Sequence, residues 1–594
     1  MKRNVALASA CAVLISLLAV SGVPGQVSNQ AVIQWFRKQA IRLNTPEARH
    51  GFADMKPLKK VIGGARIVSL GEATHGTREF FQLKHRMLEF LATEMGFTIF
   101  SIEASMPEAY RLNDFVLTGK GDPAQLLKGM YFWTWNTEEV LDMILWMRDF
   151  NKSGKGRVEF TGFDTQTPDV ARSIAGDFVK KYEPSYFEAV QRAWDDAGIA
   201  TKARQAGASL GLAAATFPVT AAAGKQIRYS GYIKTEGITR GYAGLWWRND
   251  GASGILQLDN MSDRGPRGTT PWTRYEISMA VPADVKGIVF GALHPGDGTA
   301  WFDSLQVEID GVPYMNPERF DFDFESETLK GLSASGNGYR IGLDKEAAYA
   351  GKQSLRSTYL GGPEASPPPS KVDPRQALNS CAEVVTHFEA AREAWRKAGA
   401  VDKDIDWAIQ NARIVLQGAQ MNLGGQSRDQ SMAENVKWIL DHSPGGKIVL
   451  WAHNGHVAFG GYSYPSMGKF LRQIYGKQMV VFGFAFNQGS FQAVEMGKGL
   501  RDFTVPPAPV ASLDATLAAT GMPILAIDLR RTPPKGVVAE WLNAPHQTRS
   551  IGAAFSDANA ASFLMDQKIL ESVDALLFVE KTTAARKNPP LASK

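Results

Sequence analysis

Residues 65–76 read Ala65-Arg66-Ile67-Val68-Ser69-Leu70-Gly71-Glu72-Ala73-Thr74-His75-Gly76. The apolar part of this stretch is short and follows two glycines, which predicts a buried β-strand that ends at Gly71. Glu72, Thr74 and His75 then lie on a turn that precedes a long amphipathic helix. Because ligands of open parallel sheets bind just outside the carboxyl ends of the strands, we expect chemistry at this turn.

Three later strand-like runs also end on side chains that can exchange protons or hold charge. Their ends are marked by Glu103, by Asp164, and by His453 together with His456. Helical stretches separate these strands, and strands joined in this way form a parallel sheet through right-handed crossovers. The sequence therefore predicts an α/β fold, in which helices surround a mainly parallel sheet and these side chains lie along one edge.

The pattern changes between roughly Thr201 and Gly362, where helical periodicity gives way to short alternating runs separated by Gly, Asn and Asp. Such runs are typical of an antiparallel β-sandwich, and a Pro-rich linker follows them. We therefore divide the chain into five parts, which are a signal peptide (1–25), a first part of a catalytic α/β domain (26–200), an inserted β-sandwich (201–362), a linker (363–375) and a second part of the catalytic domain (376–594).

The N-terminus has the pattern of a secretory signal peptide. Met1-Lys2-Arg3-Asn4 is a basic start, Val5 to Val20 is apolar, and cleavage is expected near Gly25. We therefore predict that the protein is exported, to the periplasm or to the medium. A lipoprotein anchored through Cys11 fits less well, because Cys11 lies inside the apolar run. No other stretch predicts a membrane span that would remain after signal removal.

The overall composition argues against nucleic-acid binding and against stabilisation by disulfide bonds. The 594 residues are 44% hydrophobic, and 65 basic and 60 acidic side chains give a net charge of +5 without a basic stripe. We therefore predict no nucleic-acid partner. Removal of the signal peptide leaves Cys381 as the one cysteine. The mature chain is then expected to form no internal disulfide, so its stability comes from packing.

Arg428 joins the predicted site by a geometric argument. Ser431 and Glu434 form a Ser-x-x-Glu capping box, which predicts a helix over Met432–Leu440 ahead of the strand at residues 447–453. A helix that precedes a parallel strand begins at the carboxyl edge of that strand, so Arg428 lies there as well. A cation gains nothing from the positive end of a helix, and we expect Arg428 to face an anion or a polarised oxygen. A position on the surface is the alternative.

These residue types suit hydrolysis by activated water. A histidine can take a proton from water that attacks a carbonyl, and a carboxylate on its other ring nitrogen fixes the tautomer. An arginine or a second histidine can stabilise the oxyanion. The same groups could instead hold Zn²⁺ or Mn²⁺, or serve a binding protein that performs no turnover. The literal Gly-x-Ser-x-Gly at residues 207–211 lacks the apolar strand that a nucleophile elbow needs.

Several motifs, taken in chain order, resemble the erythromycin esterase family. They are Gly71-Glu72-Ala73-Thr74-His75-Gly76, Ile102-Glu103-Ala104, Gly162-Phe163-Asp164, Arg428-Asp429 before Met432-Ala433-Glu434-Asn435, and Trp451-Ala452-His453-Asn454-Gly455-His456. The resemblance covers about residues 30–195 and 376 to the C-terminus. It implies an α/β fold with added helices and hydrolysis of the macrolactone ester of macrolides, an antibiotic-resistance activity, without a required metal. We accordingly predict no cofactor.

The resemblance also implies roles for individual residues. His75 is the base that activates water, assisted by Glu103, and Arg428 and His456 polarise or orient the reacting groups. The resemblance places Glu72 and His453 in supporting roles. Apart from the resemblance, we also predict Asp164, and Trp133 of the aromatic loop that precedes residue 137, as substrate-binding or supporting residues.

Two features set this chain apart from the resistance enzymes, namely its export signal and its β-insert. The insert resembles carbohydrate-binding jelly rolls at residues 231–236, 244–247 and 301–303. Trp246 and Trp247 point to opposite sides of a strand, so at most one faces a ligand. Contact with a glycan or glycoside and a purely structural or lid role both remain open for this insert. The predicted substrate is therefore a small-molecule ester or lactone, and a macrolide is one example.

Overall fold

The computed structural model describes residues 24–588 except residues 131, 208–209, 252–253, 337, 362–371, 463 and 496–497. The predicted signal peptide lies almost entirely outside the described residues. So do most of the predicted linker and the centre of the Gly-x-Ser-x-Gly sequence. Within the described residues, none of the helices combines the length and the apolar character that crossing a membrane requires.

The strands and helices alternate through both ends of the chain, and strands dominate its middle. The strands are β1 (Ile41–Arg42), β2 (Ile67–Leu70), β3 (Ile99–Ser105), β4 (Glu159–Asp164), β5 (Gly211–Thr216), β6 (Gln226–Ile238), β7 (Gly244–Gly251), β8 (Gly254–Asp259), β9 (Gly268–Ala280), β10 (Gly287–His294), β11 (Thr299–Ile309), β12 (Val312–Pro313), β13 (Ser333–Ser335), β14 (Tyr339–Asp344), β15 (Ser354–Tyr359), β16 (Ile448–Trp451), β17 (Met479–Glu495), β18 (Gly499–Val505), β19 (Ile524–Asp528), β20 (His546–Arg549), β21 (Leu564–Gln567) and β22 (Ala575–Thr582). The α-helices are α1 (Pro24–Gln39), α2 (Leu58–Ile62), α3 (Arg78–Met95), α4 (Met106–Thr118), α5 (Pro123–Lys128), α6 (Glu138–Lys152), α7 (Asp169–Tyr182), α8 (Phe187–Gly207), α9 (Val219–Ala222), α10 (Pro374–Ala390), α11 (Arg392–Lys397), α12 (Asp402–Leu423), α13 (Arg428–Asp441), α14 (Asn454–Val457), α15 (Met467–Tyr475), α16 (Leu513–Ala518) and α17 (Val537–Asn543).

A nine-stranded mixed sheet forms the centre of the α/β part. Its order is β1-β19-β22-β17-β2-β16-β3-β4, and β18 pairs with β17. The strands from β22 through β4 run parallel to one another. By contrast, β1, β18 and β19 pair antiparallel. The expected α/β fold with a parallel sheet is therefore present, and antiparallel strands extend it on one side.

The sheet is buried on both faces, which explains why its strands are apolar without alternation. All four residues of β2 are buried. Ile67 packs into one hydrophobic core together with residues of α7, α10, α12 and α13. The next residue, Val68, packs into a second core together with residues of α3, α4 and α6. Each such aliphatic side chain contributes roughly 1.5–3 kcal/mol by leaving water, so the register of β2 is strongly fixed.

Two antiparallel sheets lie between residues 211 and 359. One has five strands in the order β13-β5-β10-β7-β8, and the other has six strands, β14-β15-β11-β6-β9 with β12 at the side of β11. They share a third hydrophobic core, whose buried members all lie between Ala213 and Leu355. Trp247 is fully buried in this core, as expected for one of the two adjacent tryptophans.

The structure corrects the predicted start of the helix that carries Arg428. The capping box at Ser431 is wrong, because α13 begins at Arg428 and its N-cap is Ser427. The Ser427 hydroxyl accepts a hydrogen bond from the Gln430 N–H at 3.2 Å. Ser431 lies inside the first turn, where its hydroxyl donates to the Ser427 carbonyl at 3.2 Å. Arg428 is therefore part of the helix, and it still lies at the carboxyl edge of the sheet.

Other predicted boundaries also move. The strand expected at residues 479–484 extends as β17 to Glu495, because its second half pairs antiparallel with β18. The helix expected at residues 376–398 is divided into α10 and α11. The extension of β17 depends on pairing with another strand, which a local hydrophobic pattern does not encode.

Candidate active site

The carboxyl ends of β2, β3, β4 and β16 converge, and the N-terminus of α13 meets them there. Hydrogen bonds, ion pairs and ring contacts join most of the predicted site residues into one cluster, namely Glu72, His75, Glu103, Asp164, Arg428, His453 and His456. Trp133 is the exception. It makes no hydrogen bond, ion pair or ring contact with these residues in the described part of the chain.

Glu72 and His75 form the first element of the cluster. The Nδ1 atom of His75 lies 2.6 Å from Oε1 of Glu72. Because an ionised carboxylate can only accept hydrogen bonds, Nδ1 bears the proton and Nε2 bears the lone pair. No hydrogen-bond partner for Nε2 occurs among the described residues, and the ring is partly exposed. This geometry leaves Nε2 free to accept a proton from a water molecule.

Two further donors hold the other oxygen of Glu72, and neither was identified from the sequence. Lys84 Nζ lies 2.5 Å from Glu72 Oε2, and Trp451 Nε1 donates to the same atom at 2.7 Å. Burial raises the pKa of Glu72, but the charge of Lys84 and the contact with His75 outweigh it, so the pKa falls below its ordinary value. Burial lowers the pKa of Lys84 to about 8 despite the Glu72 carboxylate.

Arg428 forms the second element of the cluster. Its guanidinium donates to both oxygens of Asp164, at 3.0 and 2.8 Å, and to Oε1 of Glu103 at 2.7 Å. Burial lowers the pKa of Arg428, but the charges of Asp164 and Glu103 outweigh burial and raise it. Arg428 thus faces two carboxylates, and the planar fork of arginine suits this double contact.

Glu103 belongs to the Arg428 network. Where the resemblance implied that Glu103 assists His75, the carboxylate hydrogen-bonded to the His75 ring is Glu72. Glu103 accepts instead from Arg428 and, through Oε2, from the backbone N–H of His453 at 3.0 Å. Burial raises the pKa of Glu103, but the charges of His456, Arg428 and His75 lower it far below its ordinary range.

His456 lies between two acidic groups. Its Nδ1 is 2.8 Å from Oδ1 of Asp429, and the same oxygen accepts from the backbone N–H of Met467 at 2.7 Å. On the other side of the ring, Nε2 accepts from Arg428 Nη1 at 3.1 Å when neutral, and it faces Oε1 of Glu103 at 3.4 Å. Burial lowers the pKa of His456, but Glu103 and Asp429 outweigh burial and raise it.

His453 is a neutral donor in this cluster. Its Nδ1 accepts from the backbone N–H of Gly455 at 3.1 Å, so the ring proton resides on Nε2. That Nε2 is buried without a hydrogen-bond partner among the described residues. Burial and the charges of His75 and His456 lower the pKa of His453 to about 3, which keeps the ring uncharged. Its ring centre lies 5.3 Å from that of His75.

Two glycines of the opening motif lie where a side chain would meet its neighbours at very short distance, a side-chain amide for Gly71 and backbone for Gly76. A Cβ atom on Gly71 would lie 2.1 Å from Oδ1 of Asn454, and a Cβ atom on Gly76 would lie 2.2 Å from the carbonyl oxygen of Gln492. Both distances are far below van der Waals contact. The glycines therefore let the turn with His75 pack directly against β17 and the turn after β16.

Three supporting residues went unpredicted, although the sequence contained a signal for each. Lys84 is a lone charge on the apolar face of α3, at the i+3 spacing from Phe81. Asp429 and Trp451 lie inside motifs already singled out, but only the neighbouring Arg428 and His453 were given roles. A buried polar side chain is a stronger indicator of function than the apolar residues around it.

The three carboxylates of Glu72, Glu103 and Asp164 are all engaged with protein partners. Arg428 lies between Glu103 and Asp164, and Glu72 is held by His75, Lys84 and Trp451. In the part of the chain that the structure describes, no three His, Cys, Asp or Glu side chains are grouped so that they could hold a metal ion. A metal in this position would have to displace the guanidinium of Arg428.

A comparison with protein families identifies the chain. The model described as "Erythromycin esterase" matches residues 92–226 and 344–582, which together make up more than half of the sequence. The chain belongs to the erythromycin esterase family. The unmatched residues 227–343 hold most of the two antiparallel sheets, and the Gly71–Gly76 motif lies ahead of the matched segments.

Curated relatives agree with this membership. The erythromycin esterase type II of Escherichia coli is 35% identical over 136 residues, which are 22% of this chain and 31% of that protein. The protein YbfO of Bacillus subtilis (strain 168) is 32% identical over 165 residues, which are 27% of this chain and 35% of that protein. This chain therefore spans about a third of the length of the curated relatives that it matches.

Solved structures share the fold of this erythromycin esterase family member. A protein of Bacillus cereus superposes with a TM-score of 0.58 at 19% identity, and a succinoglycan biosynthesis protein superposes with a TM-score of 0.56 at 20% identity. Each match covers 94% of this chain and 99% of the other. At these identities the likeness concerns the fold alone. Family membership supports a hydrolase, on a mixed α/β fold with a parallel sheet.

Proposed function

We propose that this protein hydrolyses a carboxylic ester or lactone by means of water that His75 activates. One observation carries the proposal, namely the 2.6 Å contact between His75 Nδ1 and the buried Glu72, which leaves Nε2 as a free base. Family membership supports the same class of reaction. A general base held in this way typically contributes about 10²–10⁴-fold to the rate.

The proposed reaction uses the other residues of the cluster in turn. His75 Nε2 removes a proton from water, and the resulting hydroxide attacks the carbonyl carbon to form a tetrahedral oxyanion. The unpartnered Nε2–H of His453 is suited to donate to that oxyanion, as preorganised donors do in acyl transfer. Collapse of the intermediate breaks the bond between the acyl carbon and the alkoxide oxygen. The leaving alkoxide takes a proton from His456, whose raised pKa favours the protonated ring, and the products are an acid and an alcohol.

Arg428 supports this chemistry by polarising and orienting the groups around it. Its charge is balanced by Glu103 and Asp164, so it has a fixed position before substrate arrives. Preorganisation of this kind lowers the cost of reorganisation during reaction. In this proposal Glu103 positions Arg428 and the His453 backbone, and Glu72 positions His75. Trp133, which lies outside the cluster, is proposed as a substrate contact.

The substrate is best sought among lactones and simple esters. The purified full chain should be incubated with 14-membered macrolides and with short-chain aryl esters, and the acid product followed by mass spectrometry and pH-stat titration. His75→Asn separates enzymatic hydrolysis from background, and His442→Asn, at an exposed ring outside the cluster, is the matched control. A chain that binds one of these compounds without any His75-dependent product would be a binding protein instead.

A metal-dependent mechanism makes a different prediction. If Arg428 and not a metal ion lies between the carboxylates during catalysis, prolonged treatment with a chelator leaves the rate of hydrolysis unchanged. Loss of the activity on chelation, with recovery on addition of Zn²⁺ or Mn²⁺, would favour the metal-dependent alternative. Metal content measured on the same sample distinguishes a bound ion from a contaminant.

The predicted domains and export belong to the same proposal. A separate module at residues 201–362 is supported by its own hydrophobic core, since no buried member of that core lies in the two cores of the α/β part. Its jelly-roll character and its boundaries remain proposals. Export rests on the sequence of residues 1–25, and detection of the mature chain in the periplasm or medium of the producing cells tests it.

A sugar-binding role for the module is favoured by one feature of the six-stranded sheet. Tyr349 is 44% exposed and stacks on Tyr232, with ring centres 3.5 Å apart and planes 13° from parallel, and Trp272 lies 6.2 Å away. Exposed aromatic faces of this kind can stack on sugar rings. By contrast, Trp301 is only 5% exposed, and its Nε1 donates to Asp344.

Tyr349→Ala is expected to weaken the binding of soluble polysaccharides about fivefold in Kd, because it removes the stacking of one sugar ring on the tyrosine face, a contact worth about 1 kcal/mol. Affinity electrophoresis in gels that contain neutral or acidic polysaccharides measures the effect. Met315→Ala, at an exposed side chain elsewhere in the module, is the control and should migrate like the wild type. Identical migration of all three proteins in every gel would leave the module a structural or lid role.

A further inference from the structure

Lys84 is a fully buried cation with an unusual set of neighbours. Its Nζ contacts Oε2 of Glu72, lies 4.3 Å from the ring centre of Trp451, and lies 5.1 Å from that of Phe484. Trp451 itself donates to the same oxygen of Glu72. The ammonium is therefore enclosed by one carboxylate and two aromatic faces, which together stabilise the charged form.

Lys84 determines the net charge next to Nδ1 of His75, the ring nitrogen opposite the proposed basic atom Nε2. Glu72 is also fully buried, and a buried carboxylate is costly unless a partner neutralises it. With Lys84 protonated, the pair Lys84–Glu72 is neutral, and His75 receives a hydrogen-bond acceptor without an uncompensated negative charge. The lone pair of the imidazole then stays on Nε2.

If the ammonium of Lys84 is removed, Glu72 can respond in two ways, and both affect Nε2 of His75 in the same manner. If Glu72 stays ionised, its unbalanced charge favours the doubly protonated imidazolium of His75. If Glu72 takes up a proton instead, it can donate to Nδ1, and the imidazole then carries its own proton on Nε2. Both cases favour a proton on Nε2, which then cannot accept one from water.

We propose that Lys84 is a positioning residue, whose buried ammonium balances Glu72 and thereby keeps Nε2 of His75 unprotonated. This inference rests on the proposed role of His75 as the base. The pKa of about 8 for Lys84 is consistent with it, because the ammonium is then mostly charged at neutral pH. Lys84 is fully buried, and it acts through Glu72.

Other charges around His75 and Lys84 must be held constant in any test. Glu103 acts electrostatically on both Lys84 and His75, and His453 interacts with His75 and with Glu72. Neither Glu103 nor His453 lies on α3, so substitutions on that helix leave them in place. The Lys84 effect can therefore be separated from the Arg428 network.

The experiment is nitrogen NMR on the full chain with ¹⁵N-labelled histidine, because this method reads the protonation of each ring nitrogen without any substrate. His75→Asn assigns the His75 signals by their disappearance. In the wild type at pH 7, we expect an unprotonated Nε2 and a protonated Nδ1. In Lys84→Met, the signal of an unprotonated Nε2 should be lost, and kcat on any hydrolysed ester should fall in parallel.

Two further variants separate positioning from packing. Leu91→Ala removes a buried side chain on the same helix, so it should lower stability while the His75 signals stay as in the wild type. Lys84→Met combined with Glu72→Gln removes both charges, and it should unfold at a higher denaturant concentration than Lys84→Met alone. The double variant also keeps the question answerable if Lys84→Met folds poorly.

Wild-type His75 signals in Lys84→Met, or a double variant less stable than Lys84→Met, would overturn the inference. These outcomes are independent of the proposed function. If no ester or lactone is hydrolysed, the proposed function fails while the protonation of Nε2 still reports on Lys84. If hydrolysis is found but Lys84→Met leaves both the signals and the rate unchanged, Lys84 has a packing role alone.

Discussion

His75→Asn is expected to lower kcat for ester or lactone hydrolysis by about 10²–10⁴-fold, the usual contribution of a general base. The asparagine amide can take the place of Nδ1 and donate to Glu72, so the buried carboxylate stays satisfied. No basic atom replaces Nε2. Stability and substrate binding are therefore expected to change little, and the loss should appear in kcat.

Steady-state kinetics and urea unfolding on the same preparations measure both parts of this expectation. The control is His442→Asn, which changes an exposed ring that stacks on Trp438 and should keep the wild-type rate. A His75→Asn variant that hydrolyses the substrate at the wild-type rate would show that another group activates water. A variant that unfolds at a much lower urea concentration would point to a structural role instead.

Arg428→Met is expected to lower the free energy of unfolding by about 3–5 kcal/mol at neutral pH and to abolish activity. The substitution leaves Glu103 and Asp164 buried without their cation, and loss of one partner from a buried ion pair typically has this cost. Arg428→Lys keeps a charge but lacks the fork that reaches both carboxylates, so its loss should be intermediate.

The Arg428→Met effect should depend on pH. In the wild type the pKa of Glu103 is lowered by folding, so its stabilisation is present above the unfolded pKa of about 4.3 and is lost as the pH falls through the folded pKa. The Arg428→Met variant lacks most of this stabilisation from Glu103, because the cation that lowers the pKa of Glu103 is gone. The difference in unfolding free energy should therefore be largest near pH 7 and shrink below about pH 4.5.

Denaturant unfolding at several pH values checks this prediction. Arg172→Met is a matched control, because Arg172 pairs with the exposed Asp195 and a surface pair is worth about 0–1 kcal/mol. An Arg428→Met variant as stable as Arg172→Met at pH 7 would contradict the buried network. A difference that grows toward acid pH would contradict the sign of the Glu103 contribution.

Much of the architecture could be predicted from short patterns. The strands that end near Glu103 and Asp164 lie within one or two residues of their predicted positions, because apolar runs bounded by helices identify buried parallel strands. The long strand β17 and the start of α13 could not be placed. Their limits depend on pairing with β18 and on a cap at Ser427 that competes with the better-known pattern at Ser431.

For the site, the sequence by itself determined which residue types meet at one edge of the sheet, because the carboxyl ends of parallel strands necessarily lie together. Only the tertiary structure decided which carboxylate forms hydrogen bonds with His75 and which carboxylates pair with Arg428. Glu72 holds His75, while Glu103 and Asp164 hold Arg428. That assignment depends on differences of about one ångström in side-chain position, which strand register and the packing of α3 and α13 set. Spacing along the chain does not encode them.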